Sequence, residues 1–187
     1  MYWFISDTHL GHFNIIRYTN RPFKTLKEMD DTIIRNINSR VDENDVLFIN
    51  GDFCMKKSSE ASNAPQNAFD YYRNQIKCKN LIFIKGNHDK NNSTKTIIES
   101  IVIEHGGKRI FMTHRPTYAK KDFHYNFCGH VHGKYGKFQK LDGRSYIVDL
   151  SVENWDYMPI NINEIEQAFS IWIKEGMKKI CISEPKS

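Results

Sequence analysis

No apolar run in the 187-residue sequence approaches the roughly 20 residues a membrane-spanning helix needs, which argues against a membrane protein. No basic segment followed by an apolar stretch and a cleavage site opens the chain. Tyr2-Trp3-Phe4-Ile5 enters a strand-like run at once, so we expect no secretory signal. The four cysteines, Cys54, Cys78, Cys128 and Cys181, lie far apart and form no Cys-x-x-Cys pair. Scattered thiols in a chain long enough for a full core read as reduced, with a cytoplasmic location expected. Internal repeats and low-complexity tracts are absent too. A net charge of +5 is too small to mark a nucleic-acid binder by itself, and suits an anionic small substrate. Nucleic acid stays a possible but unfavoured partner, and the oligomeric state is open. Length and composition fit one domain over residues 1–187.

Apolar, β-branched runs bounded by polar residues predict strands at Tyr2–Ile5, Val46–Ile49, Leu81–Ile84, Ile110–Met112 and Ser145–Leu150. Gly106-Gly107, between Ile101–His105 and Lys108–Met112, predicts a hairpin, because paired glycines permit the positive φ of a tight turn. Thr25-Leu26-Lys27-Glu28 is a capping box before the stripe Met29, Ile33, Ile34, Ile37. A second helix is predicted over Asn67–Lys77, with Phe69, Tyr72 and Ile76 inward. A last one opens at Asn163, with Glu166 at N3 and Ile165, Phe169 and Trp172 on one face. Lys174, Lys178 and Lys179 would complement its negative end. Ser58–Gln66 reads as a loop. Strand–helix alternation followed by consecutive strands predicts an α/β fold of mixed sheets covered by helices.

Five short polar blocks follow in order: Asp7-Thr8-His9, Gly51-Asp52, Gly86-Asn87-His88-Asp89, Thr113-His114 and Gly129-His130-Val131-His132. They supply the carboxylates Asp7 and Asp52, the amide Asn87, and the imidazoles of His9, His88, His114, His130 and His132. That donor inventory suits a two-metal hydrolytic site with a histidine to spare for acid catalysis. Several blocks directly follow a predicted strand, and strand ends are where open sheets gather a site from distant sequence. Gly51 lets the backbone approach the site closely. Asp7 and His9, two apart on an extended segment, would throw both side chains to one side.

Taken together, the five blocks resemble the signature of the calcineurin-like metallophosphoesterases, and no ligand of that signature is missing. The resemblance implies an αββα sandwich of two mixed β-sheets flanked by helices, of the metallo-dependent phosphatase type. It implies that Asp7, His9 and His132 bind one metal, that Asn87, His114 and His130 bind a second, and that Asp52 bridges them. The cofactors would be two divalent transition-metal ions, manganese first, with iron, zinc or nickel as alternatives. Mixed imidazole, carboxylate and amide donors suit such ions better than an all-oxygen magnesium site. Asp7 and Asp52 leave roughly one positive charge uncompensated once two divalent ions and a hydroxide are in place, which a phosphate oxyanion balances. The implied reaction is hydrolysis of a phosphate ester, a phosphodiester in the first instance, by metal-activated hydroxide. His88 would protonate the leaving oxygen. Asp89 would either orient His88 or cap its loop.

Around the blocks, His12, Asn14, Arg17 and Arg115 are candidate substrate contacts, with Arg21 and His124 as further phosphate-contact candidates. Phe123, Tyr125, Trp155 and Tyr157 would line a pocket or pack the core. Lys56-Lys57 and Lys120-Lys121 read as solvated loop charges. Cys128, beside Gly129-His130, reads as a small buried residue rather than a thiolate ligand. Two other functions stay in view: a nuclease on the same scaffold, and a non-catalytic interaction module. The complete ligand set argues against the module.

Overall fold

The computed structural model describes residues 1–60, 67–91, 94 and 96–177. Cys181, Lys178, Lys179 and the 61–66 part of the predicted loop lie outside the described residues. No helix among those described is long and apolar enough to cross a membrane.

Two mixed sheets form the frame. In the first, β1 (Tyr2–Ile5), β2 (Val46–Asn50) and β3 (Asn80–Ile84) run parallel, and β9 (Ile160–Asn161) joins β1 antiparallel. The second has the order β4-β5-β6-β8-β7, from β4 (Ser100–His105), β5 (Lys108–Thr113), β6 (Tyr125–Cys128), β7 (Phe138–Asp142) and β8 (Ser145–Asp149). There β5, β6 and β8 are parallel, while β4 and β7 are antiparallel edges. The sequence analysis gives no range for β6, β7 or β9, which are short or strongly polar.

The two-residue period of a strand sorts the core. Trp3, Ile5, Leu47 and Ile49 face α2 (Leu26–Arg40) and α3 (Ala68–Arg73) on one side of the first sheet. Phe4, Phe48 and Ile84 face the other way, onto Ile110, Met112, Tyr125, Phe127 and Val148 of the second. The rings of Phe4 and Phe127 meet edge to face, 5.0 Å apart. The result is the expected αββα-type sandwich of two sheets flanked by helices. Its flanking is uneven: α4 (Ile162–Lys174) packs on β7, β8 and β9 through Ile165, Phe169 and Trp172. The outer face of β5 and β6 is covered by the segment 116–124, with Phe123 against Phe111 and Asn126 bonded to the Lys120 backbone.

Helix ends follow local chemistry. Thr25 caps α2 through the Glu28 N–H, while the Glu28 carboxylate reaches back to Lys24 N. The Asn67–Lys77 prediction overruns. Asn67 caps α3 as expected, but the helix ends at Arg73, whose guanidinium takes the carbonyls of Ile76 and Lys79 and fixes a turn there. The last helix starts two residues earlier than predicted. Asn161 and Glu164 form its capping box, because this frame buries Ile162 along with Ile165 and Trp172.

Parallel pairing has one consequence for function. The C-terminal ends of β1, β2 and β3 lie along one edge of the first sheet, and those of β5, β6 and β8 along one edge of the second. The two edges are joined there: Ser6 N donates to Leu150 O, and Val152 N donates to Ser6 O.

Inside α2, Asp30 is buried and accepts hydrogen bonds from Gly11 N and from the Tyr72 hydroxyl, which in turn meets Ser58 Oγ at 2.7 Å. Burial outweighs those bonds and pushes the Asp30 carboxyl up to about 7. A raised carboxyl pKa means that the folded protein resists ionisation there, so stability contributed by the neutral form is lost between about pH 4 and pH 7. Asp30→Asn keeps an acceptor for Gly11 and cannot ionise. Its stability relative to wild type should therefore climb as pH rises through that window and then level off, as measured by urea unfolding midpoints at graded pH. A difference independent of pH would contradict the buried, ionisable state of Asp30.

Candidate metal centre

Each block leaves a strand at the joined rim. Asp7 and His9 follow β1, Asp52 follows β2, Asn87 follows β3, His114 follows β5, and His130 and His132 follow β6. The sequence predicts an extended backbone at Asp7 and His9; the structure corrects this. Asp7, His9, Asp52, His130 and His132 have φ of 57°, 49°, 52°, 72° and 49°. Such left-handed residues other than glycine cost about 1–3 kcal/mol each and persist where surrounding structure holds them. Here the tight turns bring successive side chains back toward one point. Glycine supplies the remaining room. A Cβ on Gly51, whose φ is +94°, would sit 2.3 Å from His114 Nδ1, and one on Gly86 would sit 2.1 Å from Asp52 Oδ1.

Two donor groups result. Asp7, His9 and His132 bring one ligand atom each to within 4.8 Å of one another, and Asp52, His114 and His130 do the same. Asp52 Oδ2 stands between them, 3.6 Å from His9 Nε2 and 3.3 Å from His114 Nε2. Asn87 Oδ1 completes the second group, 3.1 Å from His114 Nε2.

The donors fit cations. Asp7 Oδ1 and His9 Nε2 are buried and have no hydrogen-bond partner among the described residues, a costly state unless a positive ion faces them. His114 Nδ1 lies 2.9 Å from Asn50 O, which places its proton there. Its Nε2 lone pair then points at the oxygens of Asn87 and Asp52, which only a cation reconciles. Without one, a proton answers the same need. Burial opposes charge on His114, but Asp7 and Asp52 outweigh it and raise its pKa to about 9. Burial also opposes ionisation of Asp52, yet His114 and His9 hold its carboxyl well below the usual range. Burial keeps His9 and His130 less basic than an ordinary imidazole, favouring the neutral form that binds metals.

A supporting shell that the sequence reading missed fixes these ligands. His132 Nδ1 lies 2.9 Å from Glu153 Oε1, so its proton sits there and Nε2 turns toward Asp7. Arg21 holds Glu153 through Nη2 at 2.7 Å and Nε at 3.0 Å, and donates to the carbonyls of Asp7 and Thr8. Burial opposes ionisation of Glu153, but Arg21 and His132 bring its carboxyl down to about 2. Arg21 is therefore a buried clamp and not a phosphate contact. The second oxygen of Asp7 accepts from Ser6 Oγ, His130 N and Ser151 Oγ. Asp89 is buried, and its Oδ2 accepts from the N–H groups of Asp52 and Gly86 while Oδ1 accepts from Thr94. These bonds make Asp89 a cap of its loop, tying the β2 and β3 turns together.

His88 opens a single turn of 3-10 helix, and its N–H donates to Asp52 Oδ1. Its ring centroid lies 5.1 Å from that of His9 and 6.0 Å from that of His12. His12 Nδ1 is 3.4 Å from His9 Nδ1. Asn14 and Arg17 are exposed on or beside the one-turn α1 (Ile15–Tyr18) that follows. Arg115 directly follows His114, and its charge helps depress His130. His124 sits at the other end of β6, against Tyr125 and Tyr146, away from the centre. Phe123, Tyr125 and Trp155 are core residues, and Tyr157 packs on Phe23. Cys128 is fully buried in β6, and burial pushes its thiol far up.

The Glu153–His132 bond gives a direct expectation. Glu153→Gln should weaken the first position by roughly 10–100-fold, the usual cost of losing a carboxylate behind a histidine ligand. The second position should keep its affinity. Titration calorimetry with manganese checks this, and equal weakening of both positions would contradict the assignment of Glu153 to one side.

The family model for calcineurin-like phosphoesterases matches residues 2–180. The uncharacterized protein MJ1445 of Methanocaldococcus jannaschii is 30% identical over 166 residues, covering 87% of this chain and 88% of that protein. The crystal structure of AQ665 from Aquifex aeolicus, a protein of unknown function, superposes with a TM-score of 0.66 at 25% identity, covering 90% of this chain and 98% of that one. Five ordered motifs, a sandwich with its parallel strand ends at one rim, and a match along nearly the whole length lead to one conclusion: the chain belongs to the calcineurin-like phosphoesterases.

Proposed function

We propose that the protein is a dimetal hydrolase of small phosphate esters, with phosphodiesters as its preferred substrates. The observation that carries this reading is Asp52 Oδ2, set between the two donor groups and within 3.6 Å of an imidazole nitrogen from each. Asp7, His9 and His132 would hold one divalent ion, Asn87, His114 and His130 the other, and Asp52 both. Two such ions, manganese foremost, supply Lewis acidity toward phosphate oxygens and lower the pKa of water from 15.7 to about 7. The chain's own residues do the rest. Glu153 and Asn50 keep the Nδ1 protons of His132 and His114 in place, leaving both Nε2 atoms free to ligate. Asp89 fixes the turn that carries Asn87 and His88. His88 donates a proton to the departing oxygen, and His12 flanks the same side. The intact donor set supports an enzyme over a non-catalytic module.

The test uses manganese-loaded protein and esters of graded leaving-group basicity. Bis(p-nitrophenyl) phosphate should be cleaved faster than p-nitrophenyl phosphate. His88→Ala should keep its metals and lose about 10²–10⁴-fold on alkyl diesters, the usual share of general acid catalysis. On nitrophenyl esters, whose leaving group departs without a proton, the loss should be far smaller. A uniform loss across the series would remove His88 as the acid, and no turnover of any ester would overturn the proposal.

A further inference from the structure

A cleft of about 570 Å³ opens beside the second half of the centre, on the outer face of β5, with Asn87 and His114 in its wall. Its size is that of a small-ligand site, about 300–1,000 Å³. Lys85, Arg115 and Lys120 line it, against the single carboxylate of Glu99. Glu99 lies 3.8 Å from Lys85 Nζ and so answers that lysine. Among the described residues, neither Arg115 nor Lys120 has a carboxylate partner. The sequence reading took Lys120-Lys121 for solvated charges. Lys121 does face outward, pairing with Asp142. Lys120 is exposed as well, and its ammonium lies 4.5 Å from the centroid of Phe111, on the cleft wall. Its backbone is fixed on both sides by the buried Asn126, which accepts from Lys120 N at 2.7 Å and donates to Lys120 O at 3.0 Å. Tyr118, on the turn between Arg115 and Lys120, leaves 64% of its surface exposed at this cleft.

We infer that the substrate is a small nucleotide-type phosphodiester bearing a second phosphate, which Arg115 and Lys120 bind while a base stacks on Tyr118. The inference rests on the phosphoesterase reading above. Two cations that line the cleft without a carboxylate partner among the described residues suit an anion besides the scissile phosphate, and a planar guanidinium together with an ammonium suits a phosphate. An exposed ring beside them suits the flat face of a base. Placement says which half of the diester lies here. His88 and His12 flank His9, in the first donor group, whereas the cleft adjoins Asn87 and His114, in the second. The proton for the departing oxygen thus comes from one flank, and the retained half occupies the other.

The experiment compares kcat/KM of the manganese-loaded protein for three compounds: bis(p-nitrophenyl) phosphate, the dinucleoside monophosphate of thymidine, and the same dinucleotide with a 5′-terminal phosphate. The 5′-phosphorylated compound should exceed the unphosphorylated one by about tenfold or more, the scale of one charge-assisted hydrogen bond. Lys120→Gln and Arg115→Gln should each shrink that ratio, Lys120→Arg should restore it, and Tyr118→Ala should raise KM for both dinucleotides. All three altered side chains line the cleft, and thermal unfolding of each variant checks the fold. A ratio near one with all three compounds cleaved would overturn the cleft assignment and leave the phosphoesterase reading standing. So would a ratio that survives in the Lys120→Gln, Arg115→Gln double variant. If none of the three is cleaved, the phosphoesterase reading itself falls, and this inference with it.

Discussion

The structure is organised around buried lone pairs that face one another. Asp7 Oδ1, His9 Nε2, Asp52 Oδ2, Asn87 Oδ1 and the outward nitrogens of His114 and His132 converge where water is scarce. Left alone, such a cluster repels itself and forgoes hydrogen bonds. Divalent cations turn the same geometry into a favourable one, because the energy of opposite charges grows as water is excluded. Much of the local architecture reads as the means of holding these atoms at that separation.

Those means operate at three levels. Parallel strands bring six chain segments to one rim, and the bonds of Ser6 with Leu150 and Val152 lock the two sheets there. Left-handed turns at five candidate ligand residues aim the side chains inward, at a conformational cost that neighbouring bonds must offset. Asp89 and the Arg21–Glu153 pair then fix individual loops and ring orientations. The proposed function draws on this rigidity. A preorganised centre can bind charge that develops during phosphoryl transfer without first rearranging.

Much of this was legible in the sequence, for identifiable reasons. The apolar runs before Asp7, Asp52 and His114 are strands largely buried on both faces, and the run before Asn87 is half-buried, so hydrophobicity marks all four. Gly106-Gly107 and Thr25–Glu28 declare their turn and cap through residue chemistry. The candidate donors were readable because they come in blocks. Glu153 was not, since one glutamate after a strand looks like any other until Arg21, 132 positions away, is seen beside it. Arg21 was misread for the same reason: a lone arginine does not announce whether it meets a phosphate or a buried carboxylate. The positive φ values at Asp7 and His9 leave no compositional trace, because those positions carry side chains chosen for chemistry and not for backbone freedom. Asn163 lost to Asn161 as a cap because both precede a glutamate by three, and only the packing of Ile162 separates them.

The most direct test of the central claim is the number and placement of ions, read from anomalous diffraction of crystals saturated with manganese. The account predicts two ions per chain, about 3.5–4 Å apart as in other two-metal sites, with an oxygen of Asp52 bound to both. A single ion at saturation, or two ions of which only one touches Asp52, would contradict it.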